Sequence, residues 1–127
     1  MEINNPATLA EVVEFVERYE QALGDNDIEM LDAMFWQSAK AVRYGVGECL
    51  YGIEEILEFR KARPGGSPPR AIRRVEITTF GNDFATANVE FQRIGGEVIG
   101  RQSQTWVRLP EGWRIVSAHV SLQGAGH

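Results

Sequence analysis

Cysteine is almost absent from this chain. The single Cys49 cannot close an internal disulfide, and one thiol with two histidines, His119 and His127, is too little for a zinc site. The expectation is a reducing, cytoplasmic setting and no metal. No apolar run approaches the ~18 residues that cross a bilayer, so no membrane helix is expected. The first residues carry neither a basic stretch nor an apolar one, and they read as fold rather than as a secretory leader. Positive charge is also short: 13 basic residues face 18 acidic ones, for a net charge of -5. A sequence-independent grip on nucleic acid needs the opposite field. Lysine is scarcer still. Only Lys40 and Lys61 occur, and the other eleven basic residues are arginine. The planar guanidinium fork matches carboxylates and carbonyls, a choice that solubility alone does not demand.

What remains is an ordinary globular chain. Its 127 residues, 43% of them hydrophobic, suit one domain over residues 1–127, and no internal repeat is visible. Asn5 with Pro6, or Thr8 with Glu11, can open a first helix. Leu9, Val12, Val13, Val16 and Leu23 form its apolar stripe, and Gly24 sits where a C-cap glycine would. Glu11, Glu14, Glu17 and Glu20 read as a solvated face. Asp25 or Asp27 caps a short second helix that turns Ile28, Leu31 and Phe35 inward. Residues 41–44 and 48–51 read as short strands around Gly45 and Gly47, and residues 53–62 as a third helix. The Pro/Gly stretch 64–69 is a loop. Four strands then follow, at residues 70–80, 84–94, 97–109 and 113–122, each separated by turn signals. Three helices on a curved, mostly antiparallel sheet make an α+β, cone-shaped fold with a pocket at its open mouth.

Period-two alternation sorts the strand residues onto two faces. One face of 97–109 carries Gln102, Gln104 and Trp106, and the other Arg101, Ser103 and Thr105. One face of 84–94 carries Asn88 and Glu90, and the other Ala87, Val89 and Phe91. Both faces are mixed. A mixed sheet is expected to line a polar cavity on one side and to pair with a second copy, as a homodimer, on the other.

The order of several motifs resembles a known superfamily. Residues 18–27, Met34 with Phe35, residues 42–47, Tyr51 to Ile53 and residues 112–116 are similar to the ketosteroid-isomerase-like, SnoaL-like or nuclear transport factor 2-like folds. That resemblance puts Tyr19 at the oxyanion-hole tyrosine. It puts Gln104 where the isomerases keep a protonated aspartate and Tyr44 where they keep the general base. A tyrosine is a poor base near neutral pH, so steroid isomerisation is not expected. Residues 42–48, 77–81, 85–91 and 100–106 more closely resemble the AtzH-like family, which includes the HpxZ-type proteins of oxalurate catabolism. The resemblance implies an association with amidase-signature hydrolases in ureide and s-triazine breakdown. It also implies decarboxylation of 1,3-dicarboxyurea to allophanate, with no cofactor.

Such a reaction needs a fork for a carboxylate, a proton donor, and donors for a urea carbonyl. Arg43 supplies the fork and Tyr19 the hydroxyl; these two are the expected catalytic residues. Tyr44, Asn88, Gln104, Trp106 and His119 are the expected substrate-binding residues. Each has a plainer reading: Tyr19 as core, Arg43 as an ion pair with Glu48, His119 as a structural or interface residue. Tyr44 adjoins Arg43, so both reach one pocket only if the bend at Gly45 and Gly47 distorts the strand. Nothing in the sequence orients Cys49 and His119 as a nucleophile pair. The rival to an enzyme is a non-catalytic ligand-binding or accessory subunit of an amidase.

Overall fold

The computed structural model describes residues 1–63 and 65–124, so His127 lies outside the described residues. Helix α1 runs Pro6–Asp25, α2 Ile28–Ala33 and α3 Ile53–Ala62. Strands β1 Val42–Tyr44 and β2 Cys49–Tyr51 precede α3, and β3 Arg70–Phe80, β4 Phe84–Arg93, β5 Ile99–Leu109 and β6 Gly112–Leu122 follow it.

Local chemistry sets the helix ends. Asn5 caps α1, its side-chain oxygen accepting from the Ala7 and Thr8 amides, with proline at the first helical position. Gly24 does not cap the other end. The left-handed position is Asn26, at φ 53°, one of the few non-glycine types that enters this region readily. Asp27 caps α2 by accepting from the Met30 amide. Phe35 lies just past α2 rather than on it, yet is fully buried where it bridges to Ile115.

The six strands form one sheet in the order β2-β1-β6-β5-β4-β3. Among the described strands only the β1–β6 pair is parallel. Val12, Val16, Tyr19 and Ala22 of α1 are buried with Ile56 of α3 and with Ala85, Ala87, Trp106, Trp113 and Ile115 of the sheet. Among the described residues no helix is long and apolar enough to cross a membrane.

Two bulges change which residues face inward. In β6 the register shifts beside Thr105 and Trp106, so Ile115 and Ala118, three residues apart, are both buried. In β3 the shift falls between Ile72 and Arg74, leaving Arg73 as the extra residue. An extra residue reverses the alternation beyond it. Val75 pairs with buried Val89, and Arg70 pairs with Arg93, two residues on from buried Phe91. Both Val75 and Arg70 therefore point to the concave face, although five positions apart.

The glutamates of α1 do not form one solvated face. A three-residue step lags the helical turn by about 60°, so the four walk around the helix. Glu14 and Glu17 reach water, Glu14 pairing there with Arg18. Glu11 and Glu20 border the buried stripe from opposite sides. Glu11 accepts from the indole Nε1 of buried Trp113 at 3.1 Å and pairs with Arg108 at 3.0 Å. Glu20 turns to the other end of the sheet, toward Arg70 and Gln102.

Candidate functional site

The helices and the concave face of the sheet enclose a cavity of about 260 Å³. Five arginines line it: Arg43 from β1, Arg60 from α3, Arg63 just past α3, Arg70 from β3 and Arg93 from β4. Three carboxylates reach them among the described residues. Glu48 lies 3.0 Å from Arg43, Asp32 lies 2.9 Å from Arg60, and Glu20 pairs with Arg70. Two positive charges are left over in a chain whose overall charge is -5. The excess is local and points into the pocket.

The guanidinium groups of Arg43 and Arg60 rest on aromatic rings. Arg43 lies over the Phe59 ring, 5.4 Å from its centroid. Its partner Glu48 folds back across Gly45, where a Cβ would stand 1.5 Å from Glu48 Oε1. Glycine at 45 is what lets that carboxylate reach Arg43. Arg60 lies over Phe35, and its Nε, though near Asp32 Oδ1, is out of line for a hydrogen bond. Burial raises the Asp32 carboxyl above its usual 3.8, against the pull of Arg60. Burial, and then the neighbouring Arg43, lowers Arg63 below the usual guanidinium range; Arg93 and Arg60 push the same way. A site that disfavours its own cations in this manner is relieved by an incoming anion.

Tyr19 supplies a hydroxyl among these cations. The residue is 5% exposed and lines the cavity, and its ring meets Phe35 edge-on at 6.2 Å. Its hydroxyl makes no hydrogen bond with a described residue. Gln104 is oriented from behind. Its Oε1 accepts from the buried Trp106 indole at 3.0 Å, which leaves the amide hydrogens for the cavity. Trp106 is thus a support for Gln104, with no exposed surface of its own.

The expected site residues divide between the two faces. Tyr19, Arg43 and Gln104 line the one cavity. Strand β1 stays regular, so Arg43 pairs with buried Ala118 on the inside while Tyr44 pairs with His119 on the outside. Tyr44, Asn88 and His119 are therefore not in the cavity. Tyr44 meets His119 edge-on at 5.6 Å, and its hydroxyl lies 3.3 Å from that of Tyr51. That hydrogen bond holds the Tyr51 hydroxyl above its usual range. Asn88 accepts from Ser103 Oγ at 2.7 Å on the same outer face. Cys49 is exposed and separated from His119 by Tyr44, which pairs with both. Among the described residues no cluster of His, Cys, Asp or Glu could hold a metal.

Sequence reasoning missed Arg60, Arg63, Arg70 and Arg93. The signal available was the preference for arginine over lysine, but spacing alone could not gather arginines from four elements around one cavity.

Known structures agree with this architecture. A protein of unknown function from Pectobacterium atrosepticum is 56% identical, with a TM-score of 0.93 over 96% of this chain and 95% of its own. A cystatin-like fold protein from Burkholderia xenovorans is 45% identical, with a TM-score of 0.93 over 99% of both chains. A nuclear transport factor 2-like superfamily protein from Salmonella enterica serovar Typhimurium is 24% identical, with a TM-score of 0.75 over 94% of both chains, and shares the fold. No curated protein matches the sequence. The AtzH-like family profile matches residues 1–126, and the chain belongs to that family.

Proposed function

We propose that this protein is a cofactor-independent decarboxylase of a small carboxylated urea, of the type that converts 1,3-dicarboxyurea to allophanate. The observation that carries the reading is the cavity itself: five lining arginines, three of them paired with carboxylates, together with a tyrosine hydroxyl and a glutamine amide. Its excess of two positive charges matches a dianion. Its size suits a ligand of this kind rather than a steroid.

The chemistry asks for little beyond these groups. Breaking the bond between nitrogen and the leaving carboxyl carbon releases carbon dioxide and leaves the electron pair on the urea nitrogen. That nitrogen takes one proton, and the dianion becomes a monoanion. Charge thus moves away from the leaving carboxylate and onto the urea. Arginines that grip the carboxylates set affinity and register, whereas donors at the urea strengthen their hold as the charge arrives there and so assist the step. Arg43, pre-oriented by Glu48, suits the carboxylate that stays. Tyr19 and Gln104 suit the urea nitrogen and carbonyl, Tyr19 giving the proton and regaining one from solvent.

The test is carbon dioxide release from freshly made dicarboxyurea, with and without the purified protein. Acceleration above the spontaneous rate supports the reading. Tight binding with no acceleration replaces it with a carboxylate-binding accessory subunit of an amidase. The same reading includes a homodimer through the outer sheet face that carries Tyr44, Tyr51 and His119. A monomeric mass by sedimentation at micromolar concentration removes that part.

A further inference from the structure

The arginines are not spread evenly around the cavity. Arg43 stands on β1, whereas Arg70 and Arg93 are directly paired on β3 and β4, at the far end of the strand order. Three strand spacings separate β1 from β4, about 14 Å along the sheet. Arg63, just past α3, also lines the cavity, and both Arg43 and Arg93 act on its charge.

Two like charges directly opposite each other on one face of a sheet are destabilising. Here the sheet is bulged at Arg73 so that Arg70 joins Arg93 on the inner face, and considerable support is spent on holding it there. The Arg70 side chain is 9% exposed. Its guanidinium stacks on Phe91 at 4.3 Å. Its Nη2 donates to Glu20 and, at 3.1 Å, to Gln102 Oε1. Gln102 in turn donates to Glu20 at 3.3 Å, which locks its amide. Even so, Arg70 Nε is buried without a partner, and Arg93 has no carboxylate partner among the described residues. Gly100 completes the arrangement by giving the Phe91 ring its room.

We propose that Arg70 and Arg93, with Arg63 beside them, form a second carboxylate-binding end of the cavity, so that the site selects a ligand with a carboxylate at each end. This inference rests on the proposed function for its substrate class and deepens it: Arg43 holds one end of the dianion and the Arg70–Arg93 pair recognises the other. Arg70 and Arg93 are then specificity determinants. A mono-carboxylate of equal length can use one end only.

Glutarate and pentanoate test this directly. Glutarate has the same five-atom chain between and including its carboxyl carbons as dicarboxyurea, and does not decompose. Pentanoate replaces one carboxylate by a methyl group. Titration calorimetry on the wild-type protein should show glutarate preferred by about ten- to a hundred-fold, the range of one charge-assisted grip. Arg93→Gln, at a half-buried position, should erase most of that preference while pentanoate affinity changes little. Arg70→Gln should do the same and also lower stability, because Glu20 keeps Gln102 but loses its ion-pair partner; Arg93→Gln keeps the test valid if that variant fails to fold. No preference for glutarate in the wild type, or an unchanged preference in Arg93→Gln, overturns the inference. A glutarate preference without carbon dioxide release from dicarboxyurea leaves the two-ended grip standing and removes the decarboxylase. Release without the preference does the reverse.

Discussion

Arg43 and Tyr44 are neighbours in sequence and stand on opposite faces of the sheet, Arg43 beside Ala118 in the cavity and Tyr44 beside His119 outside it. The two residues therefore make different predictions. Arg43→Lys keeps the charge and loses the fork, so under the proposed activity it should slow carbon dioxide release by roughly ten- to more than a hundred-fold, the equivalent of about 1.5–3 kcal/mol. Tyr44→Phe should leave turnover at the wild-type rate. Initial rates of carbon dioxide release compare the two, and equal losses in both would contradict the assignment of faces.

Tyr19→Phe removes one hydroxyl and keeps the ring against Phe35. No described hydrogen-bond partner is orphaned by the change, so thermal stability should stay close to wild type. If Tyr19 protonates the urea nitrogen or holds charge developing there, the loss falls on kcat with little change in KM. A variant with wild-type kcat would return Tyr19 to a packing role.

Much of the fold was legible because its signals are local. Asn5 and Pro6, Asp27 and the turn glycines mark element ends within a residue or two, and the 53–62 helix follows its apolar spacing. The Arg43–Tyr44 alternation also follows from an undistorted strand. The rest depends on register. No unbroken strand puts Arg70 and Val75 on one face, and the bulge at Arg73 that does so leaves no sequence mark. The mixed faces of β4 and β5 have a similar origin. Gln102 and Gln104 are on the buried face because Arg70, Glu20 and Trp106 occupy their amide groups, partners contributed by other elements. Asn88 alternates with buried Ala87 and Val89, and the regular pairing of β4 with β5 sets it opposite Ser103 on the outside.

Glu11 and Glu14 should separate cleanly. Glu11→Ala leaves the Trp113 indole donor unpaired at a residue only 2% exposed and removes the Arg108 pair, for an expected loss of about 1–3 kcal/mol. Glu14→Ala removes a surface pair and should cost less than about 1 kcal/mol. Urea unfolding distinguishes them, and equal midpoints would mean that Glu11 contributes no more than a solvated charge.

Asp32 sets a pH dependence of definite sign. Its folded carboxyl lies above the usual 3.8, so the native state holds that proton to higher pH than the unfolded chain does. Stability from this group is fully present below 3.8 and is lost as pH rises through the raised folded value. Asp32→Asn cannot ionise. Its stability relative to wild type should therefore increase as pH climbs from about 4 through that window and then level off. Chemical unfolding of both proteins across the range checks the slope; a relative stability that falls with pH would reverse the sign assigned to Asp32.

Gly100 links core packing to the second carboxylate end. A Cβ there would lie 2.2 Å from the Phe91 ring, a distance no rotamer adjustment of a methyl group can relieve. Phe91 is buried and carries the Arg70 guanidinium on its face. Gly100→Ala should therefore cost about 1–3 kcal/mol through overpacking, and should also shift the platform on which Arg70 rests. Two readouts separate these effects. The unfolding midpoint reports the packing cost. The glutarate-to-pentanoate affinity ratio, measured where the variant is fully folded, reports the displacement of Arg70. Phe91→Leu in the Gly100→Ala background makes room for the new methyl group and should recover part of the stability. It should not restore the ratio, because the aromatic face beneath Arg70 is gone. Recovery of both would show that Phe91 acts on the cavity through volume alone and that its stacking on Arg70 contributes nothing to selecting the dianion.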